Sequence, residues 1–383
     1  MNFNNPNTKN STTIVRMVCA IVFCLFSFVY LYFYQADILA MAQHVLSAGT
    51  RHYNSMVGAV LITLSLFLLQ ALVFAVLRLE GRFHALTYFP SLLVLAVLTC
   101  VSTTIDRGFS FGAWLFVFPL LLVVWAVVAV TFGNYQKYEG VTGGGLFSRS
   151  MWINMMAMAM MFFFVGMVSN NDAVFHYRMR AERCMMAGDF DGALNAGRKS
   201  LETDRSLTMI RCYALARKGQ LGEALFTYPV VGGNDDLLPD STGAHCMIYS
   251  NDSIYRYLGA KPKGRIPTFK FFNALVRRGM AGNGVKDYIL CGYLIDRNLD
   301  AFVHEISRFY TVDDRLPKHY REALTLYNHL RSNPYIVYRN SVMDTDFEDL
   351  QALEKQHSTL SARKVAVNKL YAGTYWWYYE YGR

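Results

Sequence analysis

Apolar residues run through the first 168 positions in long blocks and through the rest at helical intervals. Five blocks stand out, at residues 14–34, 56–77, 83–101, 112–132 and 151–168. A membrane helix needs about 20 predominantly apolar residues, so each block predicts a span. Pro90 lies inside the third, where the loss of a backbone donor predicts a kink. Trp114 and Trp152 lie near the ends of the fourth and fifth, where an indole suits the headgroup layer. Residues 1–13 are polar and Asn-rich and predict a disordered cytoplasmic tail. The first block could instead be a signal peptide ending near Ala40-Met41-Ala42. It is longer than the usual 7–15 apolar residues of such peptides, which favours an anchor. The last block ends at Asn170-Asn171-Asp172, the exit into water.

Beyond Asp172 the pattern is that of short paired helices. Residues 181–187 predict a helix, residues 188–192 a turn, and residues 193–201 a second helix. Asp204 caps a third at residues 207–218, Gly219-Gln220 turns the chain, and Leu221 opens a fourth. The two units superpose at a spacing of 31: Gly188 on Gly219, Phe190 on Leu221, Ala193 on Ala224, Leu194 on Leu225. Glycine makes the turn, alanine lets paired helices approach, and the larger side chain fills the gap between pairs. Residues 230–264 are dominated by turn formers. Helices return at 268–278 and 285–294; residues 296–302 read as a similar turn, with Ala301 in the small position, leading into a helix through Tyr310, and a further helix covers 318–330. Thr345-Asp346-Phe347-Glu348 has the form of a capping box, which accounts for the acids Asp344, Asp346, Glu348 and Asp349 around it. Tyr375-Trp376-Trp377-Tyr378-Tyr379-Glu380-Tyr381 requires burial against the body, a partner or the headgroup layer.

Charge sharpens the division. Of the 37 Lys/Arg and 28 Asp/Glu, residues 1–171 hold only 8 and 4, so the ionised chemistry belongs to the second half. The net charge of +9 is spread without a basic stripe, which argues against nucleic acid and leaves membrane lipid as the simplest anionic surface. Lys9, Arg16, Arg78, Arg82, Lys137 and Arg149 fall on one predicted side of the bilayer, Arg51 and Arg107 on the other. That asymmetry puts the N-terminus in the cytoplasm and, after five crossings, residues 172–383 outside.

Candidate chemistry is sparse. No Asp, Glu or Lys lies near the centre of a span, against the usual pattern of ion and proton pathways, and Gln70 is the most polar group of the second. The methionines of the fifth block (Met151, Met155, Met156, Met158, Met160, Met161) read as packing groups rather than a copper relay. Gly143-Gly144-Gly145 lacks the Lys-Ser/Thr of a phosphate loop. Asp235, Asp236 and Asp240 read as a solvated loop rather than a cation site. Ser241 with His245 has no nucleophile elbow. Cys184, Cys212, Cys246 and Cys291 contain no C-x-x-C pair; they are either buried thiols or disulfide partners in one of three pairings. No cofactor and no metal site is predicted.

Gly188-Asp189-Phe190-Asp191-Gly192-Ala193-Leu194 resembles the turn of the tetratricopeptide repeat (TPR), Gly-x-Tyr/Phe-x-x-Ala-Leu. The spacing of 31 is shorter than the 34 of that repeat. Together with Leu316-Pro317-Lys318-His319-Tyr320-Arg321-Glu322-Ala323-Leu324, the whole resembles uncharacterised Bacteroidota-type multi-spanning membrane proteins with a TPR-like C-terminal domain. The resemblance implies an architecture and an envelope location but no chemistry. The expected fold is all-α: a five-helix transmembrane bundle over residues 14–168, then a TPR-like α-solenoid over 172–383. The expected function is a scaffold at the periplasmic face of the bacterial inner membrane, with a protein or peptide partner in the envelope. The alternative is an enzyme acting on a lipid-linked sugar or lipid through the outer-loop carboxylates Asp37 and Asp106.

Overall fold

The computed structural model describes residues 6–105, 108, 112–136, 148–239, 243–264 and 266–382. All regular structure among them is helical. The chain divides into two compact units, Met1–Asp172 and Ala173–Arg383.

In the first unit, α1 (Pro6–Val29) continues as one π-helical turn, Tyr30–Tyr34, and a short α2 (Ala36–Leu46) follows. After a loop come α3 (Ser55–Leu77), a 3-10 stretch (Gly81–Tyr88) running into α4 (Phe89–Thr99), α5 (Trp114–Gln136) and α6 (Arg149–Val168). Five stretches are long and apolar enough to cross a membrane: Thr12–Tyr34, Ser55–Leu77, Gly81–Thr99, Trp114–Tyr135 and Arg149–Val168. Leucines and valines cover the outward faces, as with Leu64, Leu68 and Leu72 on α3 and Val123, Val127 and Val130 on α5. An outside as apolar as the inside is what a lipid solvent requires.

Two expectations change here. The first helix starts at Pro6, so residues 6–13 of the expected disordered tail are helical. Proline is well suited to a first turn, where its missing N–H has no intrahelical partner to lose. Residues 1–5 lie outside the described residues. Pro90 does not kink a continuous helix; it sits in the first turn of α4, where the 3-10 stretch gives way to α-helix. The tighter winding frees backbone groups inside the span, and side chains from neighbouring helices take them up. Asn154 of α6, fully buried, accepts from Ala85 N (2.7 Å) and donates to Gly81 O (2.7 Å) and Ser150 O (2.8 Å). Trp125 Nε1 of α5 donates to Leu86 O at 2.9 Å. Gln70 Nε2 donates to Thr87 Oγ1 at 3.0 Å, and Ser91 Oγ to Leu66 O at 2.8 Å.

Asn170, expected only to mark the exit into water, also ties helix ends together. Its side chain donates to Val101 O at 2.7 Å and its N–H to Thr99 O at 3.0 Å, while its carbonyl accepts from Gln35 Nε2 at 3.3 Å. Tyr30 OH donates to Ser169 Oγ beside it.

The second unit begins with α7 (Ala173–Met186), α8 (Phe190–Asn195), α9 (Arg205–Arg217) and the single turn α10 (Leu221–Ala224). It continues with α11 (Asn251–Leu258), α12 (Thr268–Arg277), α13 (Val285–Ile295), α14 (Leu299–Phe309), α15 (Lys318–Leu330), α16 (Ser341–Lys355), α17 (Leu360–Tyr371) and α18 (Tyr375–Tyr381). Sequential helices pack as neighbours, α7 with α8, α8 with α9, α13 with α14, α15 with α16 and α16 with α17. One continuous core of buried aliphatic and aromatic residues runs from Ala181 to Tyr381.

Several boundaries differ from the pattern reading. Helix α8 stops at Asn195 rather than Leu201, because Ala196 is extended and Gly197 has φ +63°. Residues 230–264 are not all loop, since α11 forms there and buries Ile254, Tyr255 and Leu258. Thr345 is not a cap: α16 starts four residues earlier, behind Asn340, whose side chain accepts from Met343 N at 3.1 Å. Thr345 Oγ1 donates back to Ser341 O at 2.8 Å, the bond a mid-helix threonine makes. The aromatic terminus packs onto the body, with Tyr375, Trp376, Tyr378 and Tyr381 all buried.

Asn154 supplies the test of the first unit. Asn154→Leu leaves the buried Ala85 N–H and the half-buried Gly81 carbonyl without their partner, at about 1–3 kcal/mol for the buried group and less for the other. The detergent-solubilised variant is expected to melt clearly below the parent, whereas Ser65→Ala on the lipid-facing side of α3 is expected to melt with it; equal melting of parent and Asn154→Leu would contradict the assigned role.

Candidate functional site

The paired turns have one geometry. Gly188 and Gly219 take left-handed φ of +75° and +66°. The residue after each donates back five positions, Asp189 N to Cys184 O and Gln220 N to Leu215 O, both 2.9 Å. This closes the preceding helix as a Schellman motif. Arg297 fills the same slot at the third turn, with φ +57° and Asn298 N donating to Tyr293 O at 2.8 Å. Ala193, Leu194, Leu221 and Leu225 are buried; Phe190 and Ala224 are half-buried. Phe190 stacks under the Arg217 guanidinium, 4.7 Å from the ring centroid. These side chains pack helix against helix.

The Leu-Pro-x-His-Tyr-x-Glu-Ala-Leu stretch opens α15 and forms a buried polar cluster. Phe226 N–H donates to His319 Nε2 at 3.2 Å, so the imidazole proton sits on Nδ1, 2.8 Å from Glu322 Oε2. The same oxygen accepts from Tyr375 N at 2.6 Å, and Glu322 O accepts from Trp376 Nε1 at 2.7 Å. Tyr320 OH donates to Asp287 Oδ1 at 2.9 Å, as does Tyr310 OH at 2.7 Å. The Tyr320 ring lies where a side chain at Gly222 would be, 2.5 Å from its ideal Cβ. The motif therefore pins α10, α13 and the aromatic α18 to α15. His319 and Glu322 are fully buried, and both ring nitrogens are engaged by the fold.

Glu182 plays the same part at the other end. Its Oε2 accepts from Met247, Ile248 and Tyr249 N (2.8, 2.6 and 3.0 Å), clasping the segment that holds Cys246. Burial raises its carboxyl above the ordinary value of 4.5, outweighing those three donors and Arg178. Its other oxygen is buried without a hydrogen-bond partner among the described residues. Burial likewise pushes the Cys212 thiol up to about 12, an inert core group. Asp235 accepts from Thr268 N and Asp236 from Gly233 N, so those acids order the loop they lie in. His245 Nδ1 faces Gly243 O at 3.0 Å; Asp240 and Ser241 lie outside the described residues.

Two of the concave surfaces combine apolar walls with a cation. On the second unit, Ala362, Val365, Ala366, Lys369 and Leu370 form one stripe of α17 beside Leu353 of α16, in a groove of ≈ 690 Å³. Val365 and Leu370 are 58% and 73% exposed, and Val367 is the only buried residue of that helix. On the first unit, a cleft of ≈ 1000 Å³ lies between α2, α3 and the end of α4. Leu39, Leu46, Leu61, Ile62 and Val97 form its apolar walls, and Gln43, Ser47, Arg51, His52 and Asn54 its polar end. Asp37 is on α2 but not in the lining. It precedes Leu39 by two residues, about 200° around the helix, and so faces away from the wall that Leu39 builds. Asp106 and the glycine run 143–145 lie outside the described residues. The sequence reading used Arg51 only to orient the spans; the signal it passed over is Arg51-His52-Tyr53-Asn54 set between two apolar helices.

Residues 277–382 match a family described as "Family of unknown function (DUF6057)". The match spans α13 to α18, the Leu-Pro-x-His-Tyr motif and the groove on α17. No curated protein and no solved structure matches the chain.

Two measurements check the polar clasps. Glu322→Ala is expected to cost about 3 kcal/mol or more, since it strips partners from His319 and Tyr375 N together; chemical unfolding read by Trp376 and Trp377 emission, with proteolysis at residues 372–374, reports it. For Glu182, the folded state holds the proton more tightly than the unfolded chain, so its stabilising contribution is full below about pH 4.5 and is lost as pH rises through the raised value. The stability of the parent relative to Glu182→Gln is therefore expected to fall between pH 4.5 and 8; a rise over that interval would reverse the assignment.

Proposed function

We propose that the protein is a membrane-anchored scaffold. Its five spans sit in a bacterial inner membrane with the N-terminus in the cytoplasm, and its second unit is a TPR-like helix stack in the periplasm that grips a segment of another envelope protein. The observation that carries the reading is the uncovered stripe on α17. A twelve-residue helix with a single buried residue gains little from its own fold. Its half-buried Ala362 and Ala366 and exposed Val365 and Leu370 follow the i, i+3, i+4, i+8 spacing by which an amphipathic partner is held. Residues 355–371 carry Lys355, Arg363, Lys364 and Lys369 and no Asp or Glu. An apolar seam with acidic flanks is the complement of that surface.

What supports a scaffold over a catalyst is the use made of the buried chemistry. Glu182, Asp287, His319 and Glu322 each bond to another segment of the fold. What supports the orientation is the excess of Lys and Arg on the side of Lys9, Arg16, Arg78, Arg82, Lys137 and Arg149, and an odd number of crossings. The bacterial setting comes from the resemblance to Bacteroidota-type envelope proteins.

The test is site-specific photo-crosslinking in native membranes, with the probe at Val365 or Leu370. One recurrent protein adduct is expected from both positions, lost on Lys369→Glu and absent with the probe at the exposed Leu201. Lys369→Glu, at an exposed position, is expected to change stability by no more than about 0.5 kcal/mol. Adducts to lipid alone, or none, would defeat the reading. A reporter joined after Arg383 that proves cytosolic would defeat the orientation.

A further inference from the structure

We infer that the cleft of the membrane unit is a binding site for one anionic phospholipid, its phosphate at Arg51 and an acyl chain along α3. The inference is independent of the scaffold reading, which concerns α17.

The cleft is built rather than accidental. Ala48 and Gly49 turn the chain with φ +48° and +79°. Thr50 Oγ1 donates to Ser47 O at 2.7 Å and Arg51 N to Ser47 Oγ at 3.3 Å, so the backbone under Arg51 is held locally. Asn54 caps α3, accepting from Met56 N at 3.0 Å and Val57 N at 3.1 Å. The Tyr53 ring then lies directly on α3, against Gly58, where an added Cβ would come within 2.4 Å of the ring. Glycine at 58 keeps this wall thin, and the cleft continues past it to Leu61 and Ile62. From Ser55 to Ile62 the helix rises about 10 Å, a depth matched to part of an acyl chain.

The lining selects the occupant by charge. Arg51 is the one fully charged side chain among the described lining residues, His52 stands beside it, and none of them is a carboxylate. A guanidinium matches a phosphate with two parallel N–H bonds. A neutral apolar guest would leave that polar end unused, and a free anion would leave the apolar walls of Leu39, Leu61 and Val97 unfilled. An amphiphile with a phosphate head satisfies both ends, and the surrounding bilayer is a reservoir of it.

The experiment is native mass spectrometry of the full-length protein, delipidated in detergent and titrated with phosphatidylglycerol or phosphatidylcholine of equal chain length. Retention of one phosphatidylglycerol, about fivefold above phosphatidylcholine, is expected from a single cation at a lipid surface. Arg51→Gln is expected to bring the two lipids level. Arg78→Gln, outside the cleft at the far end of α3, is expected to leave the preference intact. Leu61→Trp fills the exposed wall and is expected to abolish retention of both lipids, with melting unchanged. Equal retention of the two lipids by the parent, or loss of preference with Arg78→Gln rather than Arg51→Gln, overturns the proposal. So does persistence of the single bound phosphatidylglycerol in Leu61→Trp.

Discussion

A polar group taken out of water must find a partner, and that requirement organises both units of this protein. In the first, the third span winds as a 3-10 helix over Gly81–Tyr88, which by itself would leave backbone groups bare in hydrocarbon. Asn154, Trp125 and Gln70 reach across from three other helices to the same stretch. The irregular span thereby becomes the element the others pack around. In the second, Glu182 and Glu322 each present a carboxylate to backbone N–H groups far away in the chain. Each ends a loop or terminal segment at one place on the helical frame.

The same requirement separates structural from functional polarity. The motif His319-Tyr320-Arg321-Glu322 has the residue types of a catalytic centre, but its His and Glu are buried and matched to donors of the fold. A reaction would need those atoms turned toward a substrate. Polarity left facing open space occurs elsewhere, at Arg51 and His52 beside apolar walls and at Lys369 beside the stripe on α17. Both sites join a cation to exposed aliphatic surface.

Much of the plan was legible in the chain. A helix in lipid must be apolar on every face for about 20 residues, so the five spans declare themselves by composition alone. Asp204 and the glycines at 188 and 219 were readable because capping and left-handed turns are local. The misreadings came where a local signal lost to a distant one. Thr345 has a cap's spacing, but Asn340 caps first and the threonine bonds back into the helix. The turn-rich residues 230–264 hide α11, whose Ile254, Tyr255 and Leu258 are helical because the core of the unit receives them.

By itself, then, the sequence determined what is spread along the chain: helix wherever the described residues form regular structure, five stretches that lipid can dissolve, and a second half that holds most of the charge. Those follow from neighbours within a turn or two and from the solvent each stretch requires. Tertiary structure alone decided where polar side chains spend their hydrogen bonds. Asn154 lies 69 residues from its partner Ala85, and Glu322 53 from Tyr375. It also decided that Asp37 turns away from the cleft while Arg51 lines it. Such pairings depend on which helix faces come together, and no local pattern of apolar and polar residues encodes that.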